Sequence, residues 1–226
     1  MLPADFQRHD LVWLSRTGWL AALKLARPEH VTALEQWRRH DWPAIVRRRD
    51  LDANTNEISL GIPLPPHPES GAKARIALRV LNSDVVKTTR AVGLDSSSLA
   101  ALAIVWQPGL SALASDACGL HLRLYGSCAM QALTGQAYLT ASSDIDLLFY
   151  PATEQQLRAG LAVLKFHARS LPLDGEIIFP DASAVAWKEW LIAEAGTSRV
   201  LVKQRARVLL APLTDLLATF ATPGSA

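Results

Sequence analysis

Asp144 and Asp146 stand two residues apart in Ser143-Asp144-Ile145-Asp146-Leu147-Leu148, a stretch that otherwise reads as an apolar strand. In a strand that spacing turns both carboxylates to one face. Aspartate is uncommon in strands, and two ionised carboxylates side by side repel unless a cation sits between them. Upstream, Leu124-Tyr125-Gly126-Ser127 places a glycine–serine turn where a strand hands over to a helix. Such a turn offers backbone N–H groups and a hydroxyl to phosphate oxygens. The combination predicts Mg²⁺-dependent chemistry at a phosphorus centre. Asp144 and Asp146 would hold the metal, and Gly126 and Ser127 would bind the substrate.

A third acidic element follows in Leu173-Asp174-Gly175-Glu176-Ile177-Ile178. Alternation puts Asp174 and Glu176 on the same face, so either can complete the site. Glu176 is favoured as the one nearer the apolar run, with Asp174 the alternative third carboxylate. Lys203, with Arg199, Arg205 and Arg207 close in sequence, is a candidate cation for a phosphate-bearing substrate.

The elements that must position these residues can be read from pattern. Leu120 to Tyr125 alternates as a strand, Cys128 to Leu133 forms a helix closed by Gly135, and Ile145 to Tyr150 is a second strand stopped by Pro151. Thr153 and Gln156 make a capping box for a helix with Leu157, Leu161 and Leu164 inward. Leu173 to Phe179 is a third strand, and Ser183 is expected to cap a helix carrying Trp187 and Leu191. Val200–Val202 and Val208–Leu210 close as a pair of strands before a helix from Leu213 to Phe220. Earlier in the chain, strands are expected at Leu11–Leu14, Ala44–Val46, Ile58–Ile62 and Ile76–Leu81, with a helix opened by Pro28. The material from Ser97 to Ala117 reads as two short helices.

The 226 residues are half apolar and 19% charged, a globular composition, and the net charge of +2 does not point to nucleic acid. Residues 1–83 hold 12 Lys+Arg against 9 Asp+Glu, and residues 84–226 hold 11 against 12. Two cysteines, Cys118 and Cys128, form no disulfide framework or zinc site. Asp5, Arg8, His9 and Asp10 precede any apolar run, unlike a secretory leader. A cytoplasmic protein with no membrane span is expected. Arg38-Arg39 and Arg47-Arg48-Arg49 read as solvated charge, with docking of an acidic carrier protein as the functional alternative. His9-Asp10, His121, His167 and Cys128 carry no chemical role in this reading, and Lys188 and Glu189 are unassigned.

The order strand, Gly-Ser, helix, Asp-x-Asp strand, helix, acidic strand resembles the polymerase-β-like nucleotidyltransferase superfamily. The intervening loop is longer than usual, with 16 residues between Ser127 and Asp144. His9-Asp10-Leu11-Val12-Trp13-Leu14, Gly61-Ile62-Pro63-Leu64-Pro65-Pro66, Leu173-Asp174-Gly175-Glu176 and Trp187-Lys188-Glu189 extend the likeness to nearly the whole chain. Together they resemble the malonate decarboxylase holo-acyl-carrier-protein synthase family, also called phosphoribosyl-dephospho-CoA transferases. The resemblance implies an α+β protein, with a small N-terminal domain over 1–83 and a nucleotidyltransferase domain over 84–226. It implies a triphosphoribosyl-dephospho-CoA donor and, as acceptor, a serine on the malonate decarboxylase acyl-carrier subunit, with release of pyrophosphate. Two other readings stay open: a nucleotidyltransferase using an ordinary nucleotide, and a non-catalytic carrier-binding module.

Overall fold

A computed structural model describes residues 6–197 and 199–221. Asp5, one of the charges read against a leader, lies outside them. The chain is α+β, in two units. The first contains the described residues up to Ala91, together with Gln136–Tyr138; the second contains Val92–Gly135 and the described residues from Leu139 onward. The division falls at Ala91/Val92 rather than near residue 83.

In the first unit, β1 (Leu11–Leu14) leads into helices α1 (Arg16–Leu25) and α2 (Pro28–His40). These are followed by β2 (Ala44–Val46), β3 (Glu57–Pro63), β4 (Arg75–Leu81) and β5 (Val85–Thr89). The five strands form one antiparallel sheet in the order β4-β3-β2-β1-β5. Because Val85–Thr89 pairs with Leu11–Leu14, residues 84–91 stay with this unit. Alternation along β3 and β4 buries Ile58, Leu60, Ile62, Ile76, Leu78 and Val80, and α2 adds Leu34 and Trp37 to the core. Pro28 sits in the first turn of α2, as its fixed φ favours. Tyr138 is also buried in this unit, its hydroxyl donating to the Pro63 carbonyl at 2.8 Å. Burial raises its phenol above the usual range.

The arginine run is not solvated charge. Arg47 donates to both carboxylate oxygens of Asp50, and Arg49 to the Ala53 carbonyl at 2.7 Å; of the three, Arg48 alone is exposed. Arg79 reaches Asp50 at 3.3 Å and Asp52 at 2.7 Å. The Arg47 hydrogen bond holds the Asp50 carboxyl below its ordinary value. Folding therefore gains from ionised Asp50 above about pH 4, and that gain fades as pH falls through the depressed folded value. Asp50→Asn is expected to cost about 1–2 kcal/mol at neutral pH. Urea unfolding of variant and wild type should converge toward pH 3. A constant difference across that range would contradict the assignment.

The second unit opens with β6 (Val92–Gly93), α3 (Ser96–Ala100), α4 (Gln107–Asp116) and β7 (Leu122–Leu124). Next come α5 (Gly126–Thr134), β8 (Ile145–Phe149), α6 (Glu154–His167) and β9 (Leu173–Ile178). It ends with β10 (Ala184–Ala186), α7 (Trp187–Ile192), β11 (Arg199–Lys203), β12 (Val208–Pro212) and α8 (Leu213–Ala218). The sheet order is β12-β11-β10-β9-β8-β7-β6, with β8 and β9 parallel and the other pairs antiparallel. Helix α6 makes the crossover between the parallel strands, as that connection requires. Its Leu157, Leu161 and Leu164 meet Ile145, Leu147 and Phe149 of β8 in one core. Thr153 accepts from the Gln156 N–H at 3.1 Å, but the Gln156 side chain accepts from Ala152 rather than from Thr153, so the box is displaced by one residue. Ser183 caps no helix. It bonds Asp181 at 2.6 Å just ahead of β10, and α7 begins only at Trp187.

Candidate active site

The expected residues gather where β7, α5, β8 and β9 meet. Strand β7 ends at Leu124, and the Tyr125 N–H donates to the Asp146 carbonyl at 3.0 Å, so the chain turns directly beside Asp146. Gly126 makes that turn at φ 62°, in the left-handed region that favours glycine. A Cβ at Gly126 would run into the Asp146 carboxylate. The missing side chain is therefore the space Asp146 occupies. Ser127 follows in the first turn of α5, whose early N–H groups form the positive end of a nine-residue helix. Gly135, at φ 68°, ends the helix as expected.

Asp144 is exposed and precedes β8 by one residue, while Asp146 lies within the strand and is half-buried. The buried Cys128 thiol points at the Asp144 carbonyl at 3.8 Å, which ties α5 to the segment entering β8. The long connection from Gly135 closes on a turn in which Thr140 and Ser143 exchange hydrogen bonds, delivering the chain to Asp144.

The two candidates for the third carboxylate occupy different places. Parallel register sets Asp174 directly opposite Asp146, whereas Glu176 stands opposite Leu148. Register partners share a face and lie about 4.8 Å apart across neighbouring strands. Glu176 is 5% exposed and accepts from Lys203 Nζ at 2.7 Å. Lys203, the candidate phosphate cation, is thus held by the carboxylate favoured from sequence. Asp174 is half-exposed, and Lys188 Nζ lies 3.7 Å from its Oδ1. Lys188 also lies over the Trp187 ring at 5.6 Å. Glu189 accepts from the Leu201 N–H at 2.6 Å and so joins α7 to β11.

Lys188 is the residue that sequence reasoning left unplaced. Its signal was its position in Trp187-Lys188-Glu189, but only the antiparallel turn from β9 through β10 brings it back to Asp174. Among the described residues, no three His, Cys, Asp or Glu side chains stand close enough together to hold a metal by themselves. Asp146 and Asp174 instead stand opposite each other on β8 and β9, with Asp146 filling the space that a side chain at Gly126 would take. Mg²⁺ commonly takes one or two carboxylates and completes its shell from substrate phosphates and water, and the pair fits that pattern.

Paired acidic strands beside a glycine–serine helix start are an arrangement suited to group transfer from a phosphorylated donor. Comparison with known proteins makes the class specific. Residues 7–91 match the family model for the phosphoribosyl-dephospho-CoA transferase MdcG N-terminal domain, and residues 92–214 match the model for its C-terminal domain. A phosphoribosyl-dephospho-CoA transferase of Xanthomonas campestris pv. campestris is 36% identical over 213 residues, covering 92% of this chain and 95% of that protein. One of Bradyrhizobium diazoefficiens is 38% identical over 209 residues, covering 90% of this chain and 88% of that protein. No solved structure matches. The chain belongs to the phosphoribosyl-dephospho-CoA transferase family, and it is an enzyme, a transferase of that prosthetic group. No helix among the described residues is long and apolar enough to cross a membrane.

Proposed function

We propose that this enzyme moves the 2′-(5″-phosphoribosyl)-3′-dephospho-CoA group from its triphosphate donor to a serine of the malonate decarboxylase acyl-carrier subunit, releasing pyrophosphate. The observation that carries this reading is the family match through both domains, 7–91 and 92–214. The serine oxygen forms a bond to the phosphorus nearest the ribose. The bond from that phosphorus to the bridging oxygen breaks, and pyrophosphate leaves with the electron pair.

Asp146 and Asp174, with Asp144 at the mouth of β8, are the residues that would hold Mg²⁺. The ion, when bound, neutralises triphosphate charge and orients the leaving group. Asp174 takes the role of third carboxylate in place of Glu176, because register places it opposite Asp146. Glu176 then acts as the anchor of Lys203. The amide groups at the start of α5 and the Ser127 hydroxyl bind phosphate oxygens, and Gly126 lets them approach. Lys188 supplies a cation next to the carboxylates. Asp174, half-exposed, would take the proton of the acceptor serine.

Incubating the enzyme with apo-carrier, Mg²⁺ and the triphosphoribosyl-dephospho-CoA donor should add the mass of the phosphoribosyl-dephospho-CoA group to the carrier and release pyrophosphate. A parallel reaction with ATP should leave the carrier mass unchanged. Labelling by ATP alone would assign the enzyme to ordinary nucleotides instead.

A further inference from the structure

We propose that the first unit carries a docking cleft for an acidic segment of the protein acceptor, laid along the outer edge of β4. The cleft has a volume of about 450 Å³ and is lined by β4 from Arg75 to Arg79, with the end of α1 and the start of α2 opposite. Strand β4 is an edge of its sheet. An edge strand offers outward N–H and C=O groups to an added extended chain.

The charge around the cleft selects the kind of chain. Arg27, Arg47, Arg75, Arg79 and His30 line it, against the single carboxylate of Asp50. Arg47 and Arg79 are occupied by Asp50 and Asp52, so they shape the wall. The charge left to a ligand comes from Arg27 and Arg75. Arg27 makes only an exposed contact to Glu29 at 4.0 Å, and Arg75 has no ion-pair partner among the described residues. Leu25, 80% exposed at the cleft, adds an apolar contact that an inorganic anion would not use.

The strand edge separates a polypeptide from a small phosphate compound: only an extended chain can pair along β4 and set an apolar side chain on Leu25 beside carboxylates at Arg27 and Arg75. The basic charge sits in the unit that lacks the transfer carboxylates. Acceptor capture in the first unit and chemistry in the second are thus separate tasks. Identifying the captured chain as the acceptor rests on the function proposed above.

The test is the double variant Arg27→Glu/Arg75→Glu in the full-length enzyme, with unfolding curves confirming an unchanged fold. Its KM for apo-carrier should rise about tenfold at low salt, with the gap closing at high salt as charge is screened. Its kcat and its affinity for the donor should match wild type, and Arg27→Lys/Arg75→Lys should restore KM. An unchanged carrier KM overturns the proposal, and so does a loss confined to donor affinity. If wild-type enzyme labels no carrier, the function reading fails instead. Direct calorimetric binding of carrier to wild type and double variant then decides the docking surface: tighter binding to wild type supports it, and equal or absent binding refutes it.

Discussion

Asp146→Asn and Asp174→Asn are each expected to lower carrier labelling by about three orders of magnitude, and Glu176→Gln to lower it far less. The magnitude follows from removing a fixed charge aimed at the reacting phosphate, a change worth at least 10²–10³ in rate in related electrostatic sites. Asp146 and Asp174 are register partners on the two parallel strands, and Asp146 fills the space that Gly126 leaves open. Asparagine preserves size and hydrogen bonding there, so folded yield should hold. Glu176 lies deeper and answers to Lys203. Its amide variant should instead lower thermal stability, by about 1–3 kcal/mol for one charged hydrogen bond. Labelling rates and melting curves on the three variants separate the roles. Glu176→Gln losing as much rate as Asp146→Asn would return the third position to Glu176.

Gly175→Ala should be the most damaging single methyl in the second unit. Gly175 separates the two acidic residues of β9 at φ 138°, a conformation that L side chains rarely adopt. A Cβ there would strike the Leu147 backbone carbonyl of β8. Backbone cannot swing aside as a side-chain tip does, so the parallel pair must separate or slip. A slip by one residue turns every side chain of the strand to the other face. The expected cost exceeds about 4 kcal/mol, the range reserved for backbone conflicts and core disruption. Soluble yield and urea midpoint measure it. A variant as stable as wild type would mean that β9 does not run in this register.

Much of this was legible because local rules carried it. Pro28, Thr153 and Gly135 punctuate helices through their own backbone chemistry, and Leu157, Leu161 and Leu164 mark a face by spacing alone. Gly126-Ser127 and Asp146 likewise fell where the strand–helix pattern put them. Helix α1 escaped although Ser15 caps it, because its buried face holds only one large apolar residue, Trp19, beside Gly18 and Ala22, while Leu20 and Leu25 lie on its exposed side. Strand β5 escaped because Val-Val-Lys-Thr-Thr is largely exposed and does not alternate. The choice between Asp174 and Glu176 is of another kind. Both lie on one face of one strand, and only pairing with a strand 28 residues away in sequence distinguishes them. The same is true of Lys188 beside Asp174, and of Arg47, whose carboxylate partner Asp50 turns a run of charge into a closed turn.

The parallel pairing of β8 with β9 also sets an order in time. Chains are made from the N-terminus, and Gly126, Ser127, Asp144 and Asp146 are all in place before α6 and β9 exist. A nascent chain ending before Leu173 lacks Asp174, the residue that stands opposite Asp146. The Gly126-Ser127 turn and the first two aspartates thus wait for the crossover to close, and the growing chain can complete the proposed site only once its last third is under way.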